Sequence, residues 1–231
     1  INITNATFNS GWPWNQLNDY LISGTVEIAS GTLYLVDSEI HFGPNGKIII
    51  NPGAKLHVIN STLTSGNCGD FWKGIELQGN ASAPQNSFSQ GQLIIENSVI
   101  ENALQGVSVY GTLGSQIDWS KTGGIVKSTN STFKNNWKDV AFLSHTFPNE
   151  SRFTETEFIT TQTLKNGVDP GWHVSMYDVN GVIFEGCEFS NIMPQSTNFH
   201  KGSGIKSIDV GANFETISEE DLQRLVAPSR R

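Results

Sequence analysis

In residues 44–63 the apolar positions fall two apart. Ile48 and Ile50 share one parity, Asn51-Pro52-Gly53 marks a turn, and Ala54, Leu56 and Val58 alternate with Lys55 and His57. This pattern predicts strands with one apolar and one wet face, and the stretch lacks the 3.6-residue period of a helix. Asn60-Ser61 interrupts the run before Leu63 begins another. Alternating pairs recur at Val26 and Ile28, Leu33 and Leu35, Leu93 and Ile95, Val107 and Val109, Val140 and Phe142, and Val182 and Phe184.

Between these strands a short polar corner followed by an apolar residue returns down the chain. It reads Asn5-Ala6-Thr7-Phe8, Asp37-Ser38-Glu39-Ile40, Asn60-Ser61-Thr62-Leu63 and Asn97-Ser98-Val99-Ile100. It continues as Asn130-Ser131-Thr132-Phe133, Glu155-Thr156-Glu157-Phe158 and Gly186-Cys187-Glu188-Phe189. A recurring unit of this size predicts a parallel β-solenoid, in which no turn buries its apolar face alone and stacked turns bury a continuous column. Asn tolerates left-handed backbone, and stacked copies can bond amide to amide. A β-sandwich would also alternate, but the irregular spacing and the Asn corners favour the solenoid.

Three segments follow from this. Residues 1–23, with Trp12 and Trp14, are expected to be a lead-in that caps the first coil, the paired tryptophans offering a sugar platform as the alternative. Residues 24–212 form the β-helix, with inserted loops near 79–91, 160–171 and 191–204. Residues 213–231 hold a short helix, with Ser218 as N-cap, acids in its first turn and Pro228 stopping it. That helix covers the last coil or links to a further domain.

Composition narrows the functional classes. The net charge of −8 and the singly scattered Lys and Arg offer no basic stripe for nucleic acid. No run of 18 apolar residues spans a membrane. The chain starts in a strand-like Ile1-Asn2-Ile3-Thr4 without an initiator Met or a signal peptide, which is expected of a processed or truncated product. Cys68 and Cys187 make no disulfide framework and are expected to be free thiols.

Several stretches, taken in order, carry a family likeness. They are residues 24–28, 44–63, Cys68-Gly69-Asp70-Phe71-Trp72-Lys73-Gly74, 90–93, 97–103, 123–126 and 130–136. Together they resemble the right-handed parallel β-helix segments of large secreted proteins from Bacteroidetes-type bacteria, over about residues 12–210. Such proteins commonly leave the cell by the type IX route through a C-terminal sorting domain. The resemblance implies a secreted or cell-surface location within a larger chain. It implies the export route without the sorting domain itself, and it transfers no catalytic residue.

The residues themselves give little catalytic chemistry. Adjacent acids occur only at Glu219-Glu220-Asp221, so neither the carboxylate pair of a glycoside hydrolase nor the acid cluster of a calcium-dependent lyase is visible. Arg152 is the one arginine before the tail, and His41, His57, His145, His173 and His200 show no metal spacing. No cofactor is expected; calcium on the isolated Asp169, Asp178 or Asp209 has no support from spacing. Trp72 beside Lys73 either stacks on a sugar ring or seals a corner, and Trp137, Trp172 and His173 form a second aromatic set with the same two readings. The expectation is a non-catalytic module, either a rigid spacer or a glycan-binding or adhesive surface. The alternative is a polysaccharide lyase or glycoside hydrolase with its site in the inserted loops. The expected partner is a polysaccharide or cell-surface glycan.

Overall fold

The computed structural model describes residues 2–3, 6–8, 12–15, 20–66, 69–193 and 202–208. The chain coils as a right-handed parallel β-helix with three parallel sheets. Among the described residues two have eight strands and one has seven, and each strand pairs with its counterpart one coil away. In each coil the chain visits the first sheet, the second and then the third. Glu39–Phe42, Lys47–Ile50 and Lys55–Ile59 form one such coil.

Strict parity decides what faces inward. Leu33, Leu56 and Leu93 lie opposite one another in the third sheet, as do Ile48 and Ile75 in the second, and all are buried. This column is aliphatic in the early coils and aromatic in the late ones. Phe133 stacks on Phe158 at 5.1 Å and Phe158 on Phe189 at 4.7 Å, while Phe153 stacks on Phe184 at 5.0 Å. Rings repeated at one rung spacing meet face to face, which adds to the area that they bury.

The recurring polar corner links the third sheet to the first. Asp37, Asn60, Asn97, Asn130 and Glu155 all have φ between 45° and 49°, and Gly186 takes their place at 61°. Beside this left-handed column runs a column of hydroxyls. The amide of Ser38 donates to Ser61 Oγ, that of Ser61 to Ser98 Oγ and that of Ser98 to Ser131 Oγ, at 3.0–3.1 Å. Each serine hydroxyl donates in turn to the carbonyl two residues before it. Buried amides at a bend in the coil thus find partners without a strand beside them. Cys187 continues the column with its thiol, 3.3 Å from the Phe153 carbonyl, and is a free cysteine. Cys68 lies outside the described residues.

Two expectations need correction. Asn5-Ala6-Thr7-Phe8 does not belong to the corner column, because Ala6–Phe8 is a strand of the second sheet paired with Val26–Ile28. The lead-in is also itself part of the coil. Asn2–Ile3, Ala6–Phe8 and Trp12–Asn15 pair in parallel with the next strand of each sheet, and Trp12–Asn15 is the outermost strand of the third. The helix expected near Ser218 lies outside the described residues.

Among the described residues the two longest insertions lie at the corner between the second and third sheets, while residues 161–171 lie between the first and second. Residues 78–91 form a loop, and residues 110–124 carry an antiparallel hairpin, Gly111–Leu113 with Gln116–Asp118, followed by the 3-10 turn Trp119–Lys121. The amides of Gly79 and Ala81 donate to the carbonyls of Lys121 and Ser120. Gln85 Nε2 reaches the Gly123 carbonyl at 2.7 Å, and Thr122 Oγ1 the Ser144 carbonyl at 2.7 Å.

Candidate ligand-binding site

The corner between the first and second sheets carries the aromatic residues expected to bind a ligand, and the structure sorts them into two groups. Trp72 is fully buried. It stacks on Phe42 at 4.1 Å, and its Nε1 donates to the Glu101 carbonyl at 2.8 Å. It therefore has no face to offer, which corrects the expectation of a ligand contact there. Ala103 lies opposite it in the next coil, and that small side chain leaves room for the indole inside the corner. Lys73 is exposed. Gly74 has φ +95°, and a Cβ there would collide with the Gln105 carbonyl, so the chain after Lys73 runs too close to the next coil for any other residue.

Two coils further on, the same corner turns outward. Trp137 and Trp172 are both half-buried on successive coils, joined where the Gly171 amide donates to the Trp137 carbonyl at 2.9 Å. Lys138 brings its Nζ to 4.0 Å from the Trp137 ring and 4.5 Å from that of Trp172. Lys206, on the strand Ser203–Ile208 one coil later, places its Nζ 4.5 Å from the Trp172 ring. Cations over indole faces are attracted by the ring quadrupole. Burial holds the Lys138 amine below its ordinary pKa, and the charge of Lys206 adds to this.

Beneath the indoles lies a buried polar network. Asp139 Oδ2 is 2.5 Å from His173 Nδ1, and Asp139 Oδ1 accepts from Asn136 Nδ2 at 2.7 Å. Asn136 also accepts from the Ala103 amide and donates to the Ile100 carbonyl, which ties the network to the coil below. Burial pushes the Asp139 carboxyl above its usual pKa, against the opposing bonds from His173 and Asn136. The His173 ring lies 6.4 Å from the core residue Phe158 and 6.2 Å from Phe189, which packs against the core. His173 thus positions the corner from beneath, while Trp137 and Trp172 face its surface. Sequence reasoning missed Lys138 and Lys206. Lys138 follows Trp137 directly, the same dipeptide as Trp72-Lys73, so half of this site had a visible signal.

A groove of about 540 Å³ runs over the outer face of the second sheet and includes Glu27, Lys47, Glu76, Thr112 and Lys121. Acids and lysines in one cleft invite a catalytic reading, but Glu76 is already bound. Its Oε1 accepts from Gln78 Nε2 at 2.7 Å and from the Thr112 amide at 3.0 Å. Its Oε2 accepts from Thr112 Oγ1 at 2.9 Å and from Lys47 Nζ at 3.4 Å. Four donors fix this carboxylate as the pin that holds the hairpin over the sheet. Glu27 accepts from Asn51 Nδ2 at 2.8 Å. The exposed ring of Trp119, in the turn after the hairpin, meets that of Tyr177, at the end of a strand of the same sheet, edge to face at 6.2 Å.

Among the described residues no group of three or more His, Cys, Asp or Glu side chains is placed to hold a metal ion, and no helix is long and apolar enough to cross a membrane. In comparisons with known proteins, no family model matches the chain, and no curated protein matches it in sequence.

Proposed function

We propose that the protein is a non-catalytic β-helix module of a secreted or cell-surface bacterial protein, part of a larger chain, that binds a glycan. The observation that supports this most is the pair Trp137 and Trp172. The two indoles sit half-exposed on adjacent coils of a rigid scaffold, where sugar rings can lie against them. Trp119 and Tyr177 extend the aromatic surface. Tyr177 ends the strand that Trp172 begins, roughly 16 Å away at the rise of a strand. A glycan array screen tests the reading. Retention of at least one glycan class is expected, and Trp137→Ala with Trp172→Ala should weaken it about tenfold or more. Unchanged retention in the double variant, or no retention of any glycan, overturns it.

A second reading, a polysaccharide lyase or glycoside hydrolase, draws on the groove that holds Glu27, Glu76, Lys47 and Lys121. The bonds on Glu76 weigh against it, since a general acid or base needs a free lone pair or proton aimed at substrate. Release of reducing ends or of unsaturated sugars from a retained glycan, abolished by Glu76→Gln, would establish the enzyme instead.

A further inference from the structure

Two ammonium groups converge on one indole, and no carboxylate among the described residues pairs with either. Lys138 and Lys206 both lie 4.5 Å from the Trp172 ring. Among the described residues Lys47, Lys134 and Arg152 are paired with Glu76, Glu101 and Glu185; Lys138 and Lys206 are among the lysines with no acidic partner, and they are the two that meet at one aromatic ring. Asp139, adjacent in sequence to Lys138, lies beneath the corner and is held by Asn136 and His173. The Trp172 Nε1, buried at the same place, finds no acceptor among the described residues. A chain with net charge −8 has thus gathered around an aromatic surface two cations and a donor that have no acidic partner or acceptor among the described residues. Burial and the charge of Lys206 both lower the amine of Lys138, so an anion bound at this corner would relieve both costs.

We infer that this corner selects glycans whose rings carry an anionic substituent, a carboxylate or a sulfate. The inference rests on the glycan reading above and adds the charge of the ligand. The sugar ring lies on indole while the substituent takes the two ammonium groups, a charge-assisted contact on a stacked ring.

The test measures binding of the 231-residue chain to three polymers: polygalacturonate, a sulfated galactan and a neutral galactan. Tighter binding to one or both acidic polymers supports the inference, and the better of the two names the anion. Lys138→Met and Lys206→Met keep the apolar stems, and each should weaken acidic binding about tenfold. Raising salt from about 50 to about 500 mM should weaken it further. Lys127→Met, at an exposed position of the third sheet, should leave binding unchanged, and thermal melts confirm that each variant is folded. Equal binding to acidic and neutral galactans, or acidic binding indifferent to both lysine variants, overturns the inference and leaves the glycan reading standing. Retention of none of these polymers or of any other glycan overturns both.

Discussion

The side-chain amide of Asn130 donates to Oδ1 of Asn97, one coil below, at 2.8 Å, and both residues hold left-handed backbone. One residue type thus serves two needs of a β-helix corner, a φ that most side chains resist and a bond along the axis. Asn130→Ala should cost roughly 1–2 kcal/mol, mainly through the backbone. Asn130→Gly should cost less, because it keeps the backbone and loses only the amide bond. Denaturant midpoints of the two variants rank the terms, and an Ala variant as stable as the Gly one would refute the ordering.

The phenylalanine column gives a sharper expectation. Phe158 is fully buried between Phe133 and Phe189. Phe158→Ala should destabilise by about 3–5 kcal/mol, the range for a large ring removed from a core. Phe158→Leu should cost clearly less. Thermal or urea unfolding measures both.

Trp72 and Trp172 should separate stability from binding. Trp72→Ala opens a cavity beside Phe42 and leaves the Glu101 carbonyl without its donor, a loss of about 3–5 kcal/mol. Per folded molecule, its glycan retention should match that of the unaltered chain. Trp172→Ala should do the reverse, with a modest shift in melting and a large loss of retention.

The Asp139 carboxyl predicts a pH dependence of defined sign. Its pKa is raised by burial above the ordinary 3.8, so the folded chain holds this proton longer than the unfolded chain does. Its contribution to stability is present below that ordinary value and is lost as pH rises through the raised one. Asp139→Asn keeps an acceptor for Asn136 and a donor for His173 but never ionises. Relative to the unaltered chain, this variant should gain stability as pH rises above about 4 and then level off. Urea midpoints between pH 4 and pH 7 check it, and a relative loss over that range would reverse the sign.

The coil was legible because parity and corner are local. Ile48, Ile50, Leu56 and Val58 announce their inward face within a few residues, and Asn60-Ser61-Thr62 carries its own backbone demand. Phase was less legible. Asn5-Ala6-Thr7-Phe8 satisfies the corner pattern, yet its last three residues pair with Val26–Ile28, because four residues do not say which of three sheets they enter. The hairpin over Glu76 escaped the reading although Gly114-Ser115 marks its turn. The two Trp-Lys dipeptides could not be told apart in sequence. What separates them is Ala103, which makes room for Trp72 from the next coil. Lys206 reaches Trp172 from the coil beyond, a neighbour that no local pattern marks.

The loops at the corner between the second and third sheets have a mechanical consequence. Because residues 78–91 are strapped to 120–123, and Thr122 to Ser144, three successive turns of the spring are clamped on one side. Stretched along its axis, such a rod sheds single windings from either tip at low force. It then meets a riveted middle that must rupture as one block.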